Sequence, residues 1–137
     1  MIFASSGFLG MILLPQIDVE FLSIMVSHYG LTAGWLLVLA SWGIIIPALV
    51  GLNPLVTAIL VLEILPRLSG VVFEPTYIAF MITFTWAGVV GLSPLATSVR
   101  MTARCINGDP FQIGMVWNRV FSLCIFLGLD AFLLLMT

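Results

Sequence analysis

The sequence contains no lysine, and its 137 residues carry only four arginines, one histidine and six acids, so that 7% are charged. A domain surrounded by water carries charge on roughly a quarter of its residues, so an ordinary soluble domain is excluded. The four arginines stand apart along the chain, which leaves no basic patch for nucleic acid. Cysteine is scarce as well. Cys105 falls in a polar stretch and Cys124 in an apolar run, which gives neither a disulfide framework nor a metal spacing. His28 has no second histidine and no clustered cysteines to complete a metal centre. Paired catalytic carboxylates, a nucleophile beside a base and glycine-rich phosphate loops are missing, so no enzyme chemistry is expected. No basic residues precede the first apolar run, which argues against a cleaved signal peptide.

What the chain has in abundance is apolar surface, with 62% hydrophobic residues. A helix needs about 20 apolar residues to cross a bilayer, and several stretches reach or approach that length. The expected fold is an all-α integral membrane protein with about four to five transmembrane helices, forming one polytopic domain over residues 1–137. Residues 1–30 read as short apolar and interfacial helices, 31–70 and 71–112 as two similar units, and 113–137 as a terminal helix.

The similarity of the two units lies in one phrase. Residues 50–57 read Val-Gly-Leu-Asn-Pro-Leu-Val-Thr, and residues 90–97 read Val-Gly-Leu-Ser-Pro-Leu-Ala-Thr, identical at six of eight positions. Each copy has the chemistry of a helix end followed by a helix start. Gly51 or Gly91 closes the incoming helix, Asn53 or Ser93 is suited to N-capping, and Pro54 or Pro94 fits the first helical position. Thr57 and Thr97 then lie one turn in. Paired breaks in an apolar chain mark binding sites in secondary transporters, and a helix start presents a positive dipole end to an anion. Asn53, Thr57, Ser93 and Thr97 are therefore the candidate ligand or ion site, with both breaks expected to line one polar pocket. The plainer reading, simple helix caps with each threonine bonded to its own backbone, stays open.

Along the chain, residues 2–15 are apolar but short. Residues 20–29 are too mixed to span and read as an interfacial or re-entrant helix, or as the end of a broken one. Residues 31–52 form the cleanest span, with Trp35 near its start and Pro47 inside it. Residues 54–66 form a short helix in which Glu63 faces Arg67 one turn later; whether it crosses fully is open. After a loop at 67–75, a span over 76–92 runs through the second break to about residue 98. Asn107-Gly108-Asp109-Pro110 is a turn, and a final helix is expected from Phe111 to Met136, with Trp117, Asn118 and Arg119 at the interface. Asp130 is a possible intramembrane charge, facing a partner or cavity, or else exposed near the outer interface. It lies about 16 Å along the axis from Arg119, too far for a direct pair. Arg100, Arg104 and Arg119 flank residues 99–112, which places that loop in the cytoplasm and the C-terminus outside.

Phe3-Ala4-Ser5-Ser6-Gly7-Phe8-Leu9-Gly10, the two breaks and Trp117-Asn118-Arg119 resemble the C-terminal portion of bacterial membrane proteins of the ion transporter superfamily. Its relatives include divalent anion/sodium symporters and the large subunits of tripartite dicarboxylate transporters. The resemblance implies a bacterial inner-membrane location, small-anion transport coupled to Na+ or H+, no further cofactor, and ligand contacts at Asn53, Thr57, Ser93 and Thr97. This chain has Asn-Pro and Ser-Pro where that family has Ser-Asn-Thr motifs. Family members use about twice as many helices, so the resemblance also implies a module completed by other membrane subunits or by its own copies. Two functions follow: a membrane-embedded module of a secondary transporter for small anions, or a non-transporting accessory or structural subunit of a larger membrane complex. Gly7, Gly10, Gly88 and Gly91 suit close helix contacts in either case.

Overall fold

The computed structural model describes Phe8 and residues 12–137; residues 1–7 and 9–11, which hold most of the Phe3–Gly10 motif with Gly7 and Gly10, lie outside the described residues. The described chain is helical, without strands. Its α-helices are α1 (Val19–Tyr29), α2 (Ala33–Leu49), α3 (Pro54–Ile64), α4 (Pro75–Leu92), α5 (Thr97–Ile106) and α6 (Arg119–Met136). Short 3-10 turns stand at Leu14–Gln16 and Leu65–Arg67, and a π-helical turn at Gln112–Trp117.

Local chemistry sets the ends of α1. Asp18 is its N-cap, its carboxylate accepting from the Phe21 amide at 3.0 Å, and Gly30 closes it in the left-handed region at φ 60°. The helix is tied down where the Ser69 amide donates to Ser23 Oγ at 3.2 Å, and Val26 packs into a cluster with Leu65 and Leu68.

The bundle is built on α2, α4 and α6, each packed on the other two. Leu37, Ile44, Ile45, Met81, Phe126 and Leu133 form its buried centre. Contacts at the two ends give the directions. Ala33, Glu74, Pro75 and Thr137 meet around one cavity, while Ser93 Oγ reaches Ala48 and Asn118 reaches Gly91 at the opposite end. Helices α2 and α4 are therefore parallel to each other and antiparallel to α6. Residues 50–74 must consequently return the length of the bundle between α2 and α4. They do so with the short α3, the 3-10 turn and the segment 68–74 that leads into α4. Within α3 and its turn, Arg67 donates to Glu63 at 3.0 Å with both side chains half-exposed, a pair contributing at most about 0.5 kcal/mol.

Among the described residues two stretches are long and apolar enough to cross a bilayer, Pro75–Ile106 and Arg119–Met136, and α2 falls just short at 17 residues. That is fewer than the four to five expected, because α1 and α3 have only 11 residues each and α2 stops at Leu49. The final helix starts at Arg119 and not at Phe111. Ahead of it the chain widens to i→i+5 bonding, the Asn118 amide donating to Ile113 O at 3.2 Å. Gly114 allows this detour. A Cβ there would lie 2.5 Å from the Leu92 carbonyl oxygen, so the π turn rests directly on the end of α4.

Candidate functional site

The two copies of the repeated phrase come together at one end of the bundle, but they fold differently. In the first, α2 ends at Leu49, Gly51 takes φ 106°, and the Leu52 amide closes back on Pro47 O at 3.0 Å. Asn53 is the N-cap of α3, its Oδ1 accepting from the Leu55 amide at 3.0 Å, and Pro54 is the first helical residue. This is the expected geometry. In the second copy α4 continues through Gly91 to Leu92, so Gly91 does not close it. Ser93 ends α4 instead of capping the next helix, and residues 94–96 turn before α5 begins at Thr97. Pro94 is thus three residues short of the helix it was expected to open. The cause is tertiary. Ser93 Oγ is turned across the bundle, where it donates to Ala48 O at 3.2 Å, and no amide of the next helix donates to it, so α5 has Ala96 at its N-cap and no side-chain bond there.

The end of α4 needs those donors. A helix leaves its last four carbonyls unmatched, and in apolar surroundings each unmet group costs several kcal/mol. Here three of the four, those of Val89, Val90 and Gly91, have donors. The Ser93 amide takes Val89 O at 2.9 Å, Ser98 Oγ takes Val90 O at 2.7 Å, and Asn118 Nδ2 takes Gly91 O at 2.9 Å. One turn earlier Ser122 Oγ reaches Gly88 O at 3.4 Å. Ser98, Asn118 and Ser122 were missed as a group by sequence reasoning. They sit 5, 25 and 29 residues from Ser93, and nothing local marks three polar residues as donors to a single helix end. Asn118, read as an interfacial residue, points inward; Trp117 and Arg119 beside it are exposed.

Between the breaks lies an open cleft of about 340 Å³ bordered by Asn53, Trp86, Ser93, Thr97 and Ser98. Three of the four candidate residues therefore share it. Thr57 does not: its hydroxyl donates to Pro54 O at 3.1 Å within α3. The cleft is at the end of helices of 17 and 18 residues, roughly 26 Å long, and not halfway along them. Asn53→Ala and Ser93→Ala should each lower stability by about 1 kcal/mol, through a lost cap and a lost hydrogen bond. Thermal unfolding in detergent checks both.

Asp130 lies in the middle of the apolar α6 and turns inward toward α2. Its Oδ2 accepts from Trp42 Nε1 at 3.0 Å, and its Oδ1 is 3.5 Å from Ser41 Oγ. Ser41 has one proton to donate and lies closer to Val38 O, at 2.8 Å, so Trp42 is the principal partner. Arg119 is exposed at the far start of α6 and makes no contact with Asp130. Compared with protein-family models, curated proteins and solved structures, the chain finds no match in any of the three.

Proposed function

We propose that the chain is a membrane-embedded helical module that serves as an accessory or structural subunit of a larger integral membrane assembly, made with other subunits or with its own copies. The observation that carries this reading is the exposure of α6. Its 18 residues form a highly apolar stretch, yet only 22% of them are buried. A core helix of a soluble protein is apolar because it is covered. Here Val120, Phe121, Leu127 and Leu135 all face outward, and such a surface is stable in lipid or against other apolar helices. The inward turn of Asp130 agrees, since carboxylates inside a membrane face protein and not lipid.

The native cysteines test it, because both are exposed in the folded chain. In sealed vesicles a membrane-impermeant maleimide is expected to modify Cys105, in the polar α5, from the cytoplasmic side only. Cys124, on the outward face of α6, is expected to be protected from either side. Equal labelling of the two in intact vesicles rejects the embedded reading; labelling of Cys105 from outside rejects the orientation.

The second reading, a small-anion transport module of a bacterial inner membrane coupled to Na+ or H+, is favoured by the cleft that Asn53, Ser93 and Thr97 share. On that reading Asn53→Ala and Ser93→Ala abolish ion-dependent uptake while leaving assembly intact. Against it stands the internal use of the polar groups: Ser93 and Ser98 both donate to helix carbonyls.

A further inference from the structure

Folding sorts the charges of this chain by end. Glu63, Arg67 and Glu74 lie at the end away from the breaks, where Ser69 also holds α1 with Asp18 and Glu20. Arg100 and Arg104 on α5 and Arg119 at the start of α6 lie at the break end. Only Asp109 is acidic there, and its two oxygens accept from the amides of Phe111 and Gln112 at 3.2 and 3.3 Å. The three arginines consequently have no ion-pair partner among the described residues, whereas Arg67 is matched by Glu63.

Arg100 and Arg104 are one helical turn apart on α5, and both are exposed. Together they border two concavities. One, of about 320 Å³, is closed by Asn107, Gly108 and Pro110; the other, of about 210 Å³, by Thr97 and Met101. Near them the bundle leaves apolar side chains uncovered: Met101, which borders the second concavity, and Phe111, next to Pro110 of the first, are both more than half exposed. Val99 and Ala103 hold the opposite face of α5 against Ile113. Guanidinium groups donate in a planar fork that fits phosphate oxygens. A helix with basic and apolar side chains flanking each other settles at the boundary between headgroups and acyl chains.

We infer that Arg100 and Arg104 bind the phosphate of an anionic phospholipid headgroup, with Met101 and Phe111 entering the adjoining acyl region. This rests on the membrane-embedded reading and adds a specific lipid contact to it. Unpaired arginines with uncovered apolar neighbours match a lipid, which offers both chemistries at once; a free anion offers only the first.

The full-length chain in mild detergent is titrated with phosphatidylglycerol or phosphatidylcholine, and retained lipid is counted by native mass spectrometry. With about a fivefold effect for each arginine near an anionic surface, Arg100→Gln with Arg104→Gln is expected to weaken phosphatidylglycerol retention by about 25-fold. Arg67→Gln, at the opposite end and already paired, is expected to leave it unchanged. Equal retention by the double variant, or equal retention of phosphatidylcholine by the wild type, overturns the inference. Inorganic phosphate that binds as tightly as the lipid also overturns it, by assigning the site to a free anion. Alkaline extraction of membranes separates this from the parent reading. A wild-type chain released by alkali fails the embedded reading itself, whereas a retained chain with arginine-independent lipid binding fails only the inference made here.

Discussion

Replacing Gly88 with alanine is expected to destabilise the bundle by about 1–3 kcal/mol, the cost of overpacking a filled core. A Cβ at this position would overlap the ring of Phe126, lying 2.8 Å from Cζ and closer still to Cε1. The ring has nowhere to go. It is 2% exposed, clustered with Ile45, Ala48, Val89 and Leu92, and its centroid is 6.2 Å from that of Trp42. Glycine thus brings the α4 backbone within reach of α6, and the short distance also allows Ser122 Oγ to reach Gly88 O. Phe126→Leu should relieve the overlap. The double variant Gly88→Ala with Phe126→Leu is expected to be more stable than the sum of the two single changes, with a coupling of about 0.5–3 kcal/mol. Strict additivity in thermal unfolding would mean that the two residues do not share this space.

Asp130→Ala is expected to cost about 1–3 kcal/mol, because it leaves the Trp42 indole N–H without its acceptor between two apolar helices. Asp130→Asn keeps an acceptor oxygen at the same place and should retain most of the stability. The discriminating comparison removes both partners. Asp130→Leu with Trp42→Phe is expected to recover much of the loss, since replacing a buried polar pair by apolar groups of similar shape is nearly neutral. Unfolding temperatures in detergent rank the variants, and Asp130→Ala matching the wild type would exclude a contribution from the bond. Asp130→Asn has a further use. If it melts like the wild type yet fails in an assembled complex, the carboxylate charge serves a purpose beyond holding α2 to α6.

The difference between the two copies of the repeated phrase shows where local chemistry ends. Asn53-Pro54 folds as its letters predict because everything it needs is adjacent: an amide two residues on, and a proline whose missing N–H has no partner to lose at the first helical position. Ser93-Pro94 has nearly the same letters, but packing turns the serine hydroxyl toward a carbonyl of α2, that of Ala48, 45 residues away in the chain. The hydroxyl donates to Ala48 O in a position 3% exposed, and its place against α2, not the local sequence, decides where it points. Thr57 went the local way, to Pro54 O, as threonines one turn into a helix commonly do.

Composition alone decides that this chain is helical and apolar, and capping residues alone set the limits of α1 and the start of α3, because the partners lie within four residues. The Glu63–Arg67 pair follows from one helical turn for the same reason. Packing decides the rest. That α2 and α4 run parallel, that both breaks reach one end, and that Asp130 meets Trp42 across 88 residues of chain are consequences of which apolar faces fit together. So are the side-chain donors Ser98, Asn118 and Ser122 to carbonyls of the last turns of α4. Apolar faces without strong periodicity do not announce their partners, and a hydrogen bond between helices exists only after the helices have met.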